Sequence, residues 1–205
     1  MLHHSGHLIF LARRAYERSI SDPSDALSSI MMSAISLECF INEFSGRLQQ
    51  ERFKENPELI RVAFILKTLE ESKATLLAKV EAITFLLTGA EAKKGELPYQ
   101  DVAFLMQLRN ALIHRKPEKV EWDFDKPNKK YEPHKYVQYL INRKVIEAPM
   151  PTNPPVWSQY IVSPNVARWA HNTVVEMIHH VTSLIPESLF AETTKLITVN
   201  MIPIE

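Results

Sequence analysis

Glycine is scarce in this chain, with only four among 205 residues. Rossmann folds, P-loops and turn-rich β-sandwiches need glycine where the backbone takes a positive φ or lies against a phosphate. The scarcity argues against these folds and favours a helical protein.

The chain also has a single cysteine and no net charge. The single Cys39 excludes an internal disulfide framework and a cysteine zinc site, and it is typical of a reducing cytoplasm. Lys and Arg number 24 and balance 24 Asp and Glu, so overall charge does not favour coating of duplex nucleic acid. No apolar run approaches the roughly 18 residues that span a bilayer. We therefore expect a cytoplasmic protein with no membrane partner, no metal and no cofactor.

Apolar residues recur at helical spacing along most of the chain. Together with capping residues and prolines, they predict helices at 8–21, 25–49, 58–71, 73–88, 99–115, 135–143 and 164–184. Short connections make successive helices antiparallel neighbours. The expected fold is therefore all-α, an antiparallel helical bundle that spans 1–205 as a single domain.

Proline is concentrated in one region, since eight of the 13 prolines lie between Pro117 and Pro164. This predicts an irregular insertion at 117–163, before the last long helix, with a short strand at 120–124. Aromatic residues alternate with basic ones in this region: Trp122, Tyr131, Tyr136, Tyr139, Trp157 and Tyr160. They either stack nucleic-acid bases or cover the bundle as core, and we favour the second role.

Two charged residues fall on apolar helix faces. On a helical wheel, Arg109 lies within the arc of Leu105 and Leu112, and Glu38 lies within the apolar arc of its own helix. A charge in such a position is costly unless it is paired or reaches a polar cavity. We expect the two residues to share a partner or a cleft. A buried Arg109–Glu38 pair without chemistry is the purely structural alternative.

The end of the fifth predicted helix carries the most informative motif, formed by Arg109, Asn110 and His114. It resembles the mark of the HEPN superfamily, an Arg followed after roughly four to six residues by His, often with a polar residue next to the Arg. Residues 34–43 are similar to the second helix of this group. Some toxin members carry Tyr two residues after the His, where this chain has Lys116.

The resemblance implies a helical bundle that dimerises and brings two copies of the motif into one cleft. Many HEPN members are metal-independent RNases, whereas others are inactive modules that bind nucleotides or act as scaffolds. We therefore expect a homodimeric, metal-independent endoribonuclease acting in stress response or defence, with RNA and an antitoxin or other protein as partners. The alternative is a catalytically inactive HEPN-like module that binds a nucleotide or a partner protein.

The residues themselves suit this chemistry. Histidine exchanges protons near neutral pH, so His114 can act as acid or base, while Arg109 can brace phosphate oxygens in a bidentate manner. Asn110 is expected to orient the imidazole or the substrate, and Glu38 to support the arginine. A locally basic segment follows the motif and is expected to bind the RNA backbone: Arg115, Lys116 and Lys119.

Overall fold

The computed structural model describes residues 4–49, 56–114, 133–147, 156–185 and 201–205. The regular structure in these ranges is helical throughout, which confirms the all-α prediction. The helices are α1 His4–Ser19, α2 Asp25–Leu48, α3 Pro57–Glu71, α4 Leu76–Thr88, α5 Tyr99–Ile113, α6 Lys135–Asn142, α7 Trp157–Ile161 and α8 Pro164–Ser183. The predicted strand at 120–124 lies outside the described residues.

Helices α1 and α2 form an antiparallel pair. The Ser29 hydroxyl donates to the Ala12 carbonyl at 2.8 Å, and at the far end Glu43 accepts from the backbone N–H of His4 at 2.6 Å. This carboxylate satisfies an N–H that the first turn of α1 leaves without a helical partner. Helix α1 therefore begins at His4, four residues before its predicted start at residue 8.

Helices α2 and α8 lie at the centre of the bundle. Helix α2 packs against α1, α3, α4, α5 and α8, and α8 packs against α1, α2, α4 and α5. Burial on α8 extends beyond one face, since His171 is fully buried and Trp169 is half-buried. Other helices cover α8 on several sides. No helix in the described ranges is long and apolar enough to cross a membrane.

Helix boundaries follow local capping chemistry. The Asn56 side chain accepts from the N–H groups of Glu58 and Leu59, with Pro57 in the first turn, as the sequence predicts. Helix α3 ends at Glu71, and Lys73, two residues later, takes the left-handed conformation with a φ of 57°. For this reason α4 begins at Leu76 rather than at the predicted residue 73.

The described parts of the predicted irregular insertion at 117–163, residues 133–147 and 156–163, contain two helices. Helix α6 matches the expected helix at 135–143, whereas the five-residue helix α7 was not predicted. Tyr136 and Trp157 are buried, and Tyr139 stacks on Phe104 with ring centroids 3.7 Å apart. These three aromatics therefore belong to the core. Residues 117–132 and 148–155, with Trp122 and Tyr131, lie outside the described residues.

The buried histidine of α8 makes stability depend on pH. His171 is 2% exposed, and its burial lowers its pKa from 6.5 to about 4. The positive charge of Arg13 also lowers this pKa, whereas the hydrogen bond to Asn172 Oδ1 raises it. The unfolded chain therefore binds more protons than the folded chain between these two values. We expect the free energy of unfolding to fall by about 2–3 kcal/mol as the pH drops from neutral to about 4, measured by urea denaturation.

The control is His171→Leu, which removes the titrating group and keeps an apolar side chain in the core. This variant should lose that part of the pH dependence. An equal loss of stability at low pH in the variant and in the wild type would show that His171 is not the cause.

Candidate functional site

The predicted partnership between Arg109 and Glu38 is present in the structure. The Arg109 Nη2 atom donates to Glu38 Oε2 at 2.6 Å and joins α5 to α2. The side chains of Arg109 and Glu38 are 22% and 37% exposed, respectively. The pair thus lies at the rim of the bundle beside buried Leu105 and Leu108, and it is not sealed in the core as the structural alternative required.

A second contact fixes the plane of the guanidinium. Arg109 Nη1 donates to Asn110 Oδ1 at 2.9 Å, and Nε is buried without a hydrogen-bond partner among the described residues. One N–H on each terminal nitrogen stays uncommitted within the described part of the chain. The sequence predicts that Asn110 orients His114 or the substrate, whereas in the structure its side chain holds Arg109.

His114 ends α5. Its backbone N–H donates to the Asn110 carbonyl at 2.9 Å, and its φ of −103° takes the chain out of the helix. The side chain is exposed, and its imidazole has no hydrogen-bond partner among the described residues. Exposure leaves the ring accessible to a ligand. The basic residues predicted to bind RNA, Arg115, Lys116 and Lys119, lie outside the described residues.

One chain supplies only part of a catalytic set. RNA cleavage without a metal needs a base for the 2′-OH, an acid for the leaving oxygen and positive charge on the phosphorane. The motif offers one fixed guanidinium from Arg109 and one exposed imidazole from His114. No group of three or more His, Cys, Asp or Glu in the described ranges has the arrangement to hold a metal ion.

Sequence reasoning missed Asp101, two turns before Arg109 on α5. This carboxylate is 4% exposed and accepts hydrogen bonds from Tyr139 at 2.6 Å, Arg143 at 2.8 Å and the Trp169 indole at 3.1 Å. Asp101 lies about 40° from Leu105 on the wheel, within the same apolar arc as Arg109. Asp101, like Arg109, is therefore a charged residue that the helical wheel places on an apolar face.

Comparisons with protein-family models, curated proteins and solved structures find no match for this chain. The resemblance to the HEPN superfamily therefore stays a prediction. The function has to be argued from the site itself.

Removal of the Glu38 carboxylate is expected to destabilise the protein. Glu38→Ala leaves the half-buried Arg109 without its closest partner, and partial exposure of the pair moderates the effect to about 1–2 kcal/mol. Urea denaturation of wild type and variant measures the change in the free energy of unfolding.

The matched control is Glu17→Ala. Glu17 pairs with Arg13 at 3.5 Å, and the side chains of this pair are 56% and 40% exposed, so its loss should change stability by less than about 0.5 kcal/mol. Equal effects of the two substitutions would show that Glu38 is no more than a solvated surface carboxylate.

Proposed function

We propose that this protein is a metal-independent endoribonuclease of the HEPN kind, with an active site formed by two chains. One observation carries the proposal: Glu38 and Asn110 fix the Arg109 guanidinium at an exposed rim, one turn from an exposed His114. Because the chain resembles the HEPN superfamily, we assign the activity to stress response or defence.

The residues have distinct roles in this proposal. One His114 removes the proton from the ribose 2′-OH, which attacks the phosphorus. The partner chain's copy of this histidine donates a proton to the leaving 5′ oxygen, which yields a 2′,3′-cyclic phosphate and a 5′-OH end. The N–H groups of Arg109 that Glu38 and Asn110 leave uncommitted stabilise the negative charge of the phosphorane.

Two chains are needed because each supplies a single histidine at the motif. A two-fold dimer repeats the same surface on both partners and so brings together two copies of whatever lies on it. Ile113, beside His114, is a large apolar side chain with 51% exposure. A partner surface that covers Ile113 would bring the two copies of His114 together at its edge.

The inactive binding module is the second candidate. Arg109 and His114 leave α5 about 140° apart on the helical wheel, so the two side chains of one chain do not converge. The guanidinium alone, held by Glu38 and Asn110, is sufficient to bind the phosphate of a nucleotide. Binding of a nucleotide at Arg109 without turnover of RNA would favour this module.

The dimer is the first test. Light scattering at micromolar concentration should give about twice the 23.6 kDa of one chain. Ile113→Lys should shift the protein to the monomer and lower RNA cleavage, because a lysine cannot be buried at an apolar contact.

Phe64→Lys is the matched control, since Phe64 on α3 is 68% exposed and lies on another helix. This variant should stay dimeric. A monomer at every concentration of the wild-type protein would contradict the two-chain active site.

The activity is the second test, measured as cleavage of a labelled single-stranded RNA. His114→Ala should abolish cleavage and keep the fold, because the His114 side chain is exposed. Arg109→Ala should also abolish cleavage and lower stability, since it leaves Glu38 without its partner. The rate should fall on both sides of neutral pH, because one histidine must be neutral and the other protonated.

His7→Ala is the control, since it removes another exposed histidine on α1. EDTA should leave the rate unchanged because the proposed mechanism uses no metal. Cleavage that survives His114→Ala, or that EDTA abolishes, would refute the mechanism, whereas nucleotide binding without any cleavage would favour the binding module.

A further inference from the structure

A polar cleft of about 300 Å³ lies away from the motif, between the start of α5, the turn after α6 and the first half of α8. Its volume is at the lower end of the range for small-molecule pockets. Three cationic side chains line it: Arg143, Lys144 and Arg168. Its lining also includes Asp101, two turns and about 12 Å along the helix axis from Arg109.

Among the side chains that line the cleft, three are cationic and two are anionic. Arg143 Nη2 contacts Asp101 Oδ2 at 2.8 Å, so these two charges offset each other. Lys144 and Arg168 are then opposed by one lining carboxylate, Glu176, whose pKa is raised by burial and by the charge of Asp101. The cleft therefore favours an anionic ligand.

Several cationic hydrogen-bond donors in the cleft have no partner among the described residues. Asp101 already accepts from Tyr139, Arg143 and Trp169. Within the described residues, the Lys144 ammonium and the Nη1 group of Arg143 have no hydrogen-bond partner, and Arg168 donates one bond, from Nη1 to the backbone oxygen of Glu205, the last residue, at 3.3 Å. Such a surplus of cationic donors matches a ligand with several charged oxygens.

We propose that this cleft binds the phosphate group of a small phosphomonoester. A phosphomonoester carries a charge of about −1.5 to −2 at neutral pH and three terminal oxygens, which suits Lys144, Arg168 and the outer face of Arg143. This site is separate from the ribonuclease motif and does not depend on it.

The backbone at Lys144 offers a clean test. Lys144 follows α6 with a φ of 57°, in the left-handed region that favours glycine, and Lys73 follows α3 with the same φ. Lys73 does not line the cleft. Lys144→Gly and Lys73→Gly therefore relieve the same backbone strain, but only the first removes a cation from the cleft.

The experiment is calorimetric titration of the full chain with glycerol 3-phosphate, with glycerol as the uncharged control. Saturable binding is expected for the phosphate ester only. Lys144→Gly and Arg168→Gln should each weaken binding by about five- to tenfold. Lys73→Gly and Arg61→Gln, which replaces an exposed arginine on α3, should bind as the wild type does. Lys144→Gly should fold at least as stably as the wild type.

Two kinds of result would contradict the proposed phosphomonoester site. No saturable binding of glycerol 3-phosphate by the wild type, or unchanged affinity in both Lys144→Gly and Arg168→Gln, would overturn the proposal. Tighter binding of inorganic phosphate, or of dimethyl phosphate as a mimic of the RNA backbone, would overturn the choice of a monoester. His114→Ala should bind glycerol 3-phosphate normally, so the failure of this site and the failure of the ribonuclease are distinguishable.

Discussion

The buried carboxylate of Asp101 holds together α5, α6 and α8, and α5 carries residues of both candidate sites. It lies in the first turn of α5 and accepts hydrogen bonds from Tyr139 and Arg143 of α6 and from Trp169 of α8. A buried carboxylate is tolerated only where donors replace its lost water, and loss of one partner leaves the others desolvated and unpaired. The same cluster fixes α6 on the bundle together with the buried side chains of Tyr136, Val137 and Leu140.

Helix α5 connects the two candidate sites through one rigid element. Its buried Leu105 and Leu108 set its rotation against the core, so Asp101 faces α6 and α8 while Arg109 reaches α2. Each charge is neutralised locally, Asp101 by Arg143 and Arg109 by Glu38. The two ends of α5 therefore present different chemistry: an anion-favouring cleft at its start, and a fixed guanidinium with an exposed imidazole at its end.

The helix wheel singled out Arg109 and Glu38 because it locates the face of a helix on which a residue lies, and it left a shared partner, a shared cleft and a buried pair open. It does not give depth, so it left open whether the pair is sealed in the core or exposed at the rim. Caps and prolines predicted most helix ends within a few residues. They failed at Lys73, whose left-handed backbone has no glycine to signal it, and at α7, a single short helix after a proline-rich stretch. Asp101 was missed because an acidic residue in a first turn is also common for reasons of the helix dipole.

The partial burial of Arg109 itself argues for a role beyond stability. Replacement of a partly buried ion pair by apolar side chains of similar size is often neutral or stabilising. Arg109 also keeps a buried Nε without a hydrogen-bond partner among the described residues, which opposes folding. A bundle selected for stability alone would be better served by apolar side chains at both positions, Arg109 and Glu38. The guanidinium is instead held by Glu38 and Asn110 in one orientation, with donors left over, and such pre-organisation is what stabilises negative charge in a transition state.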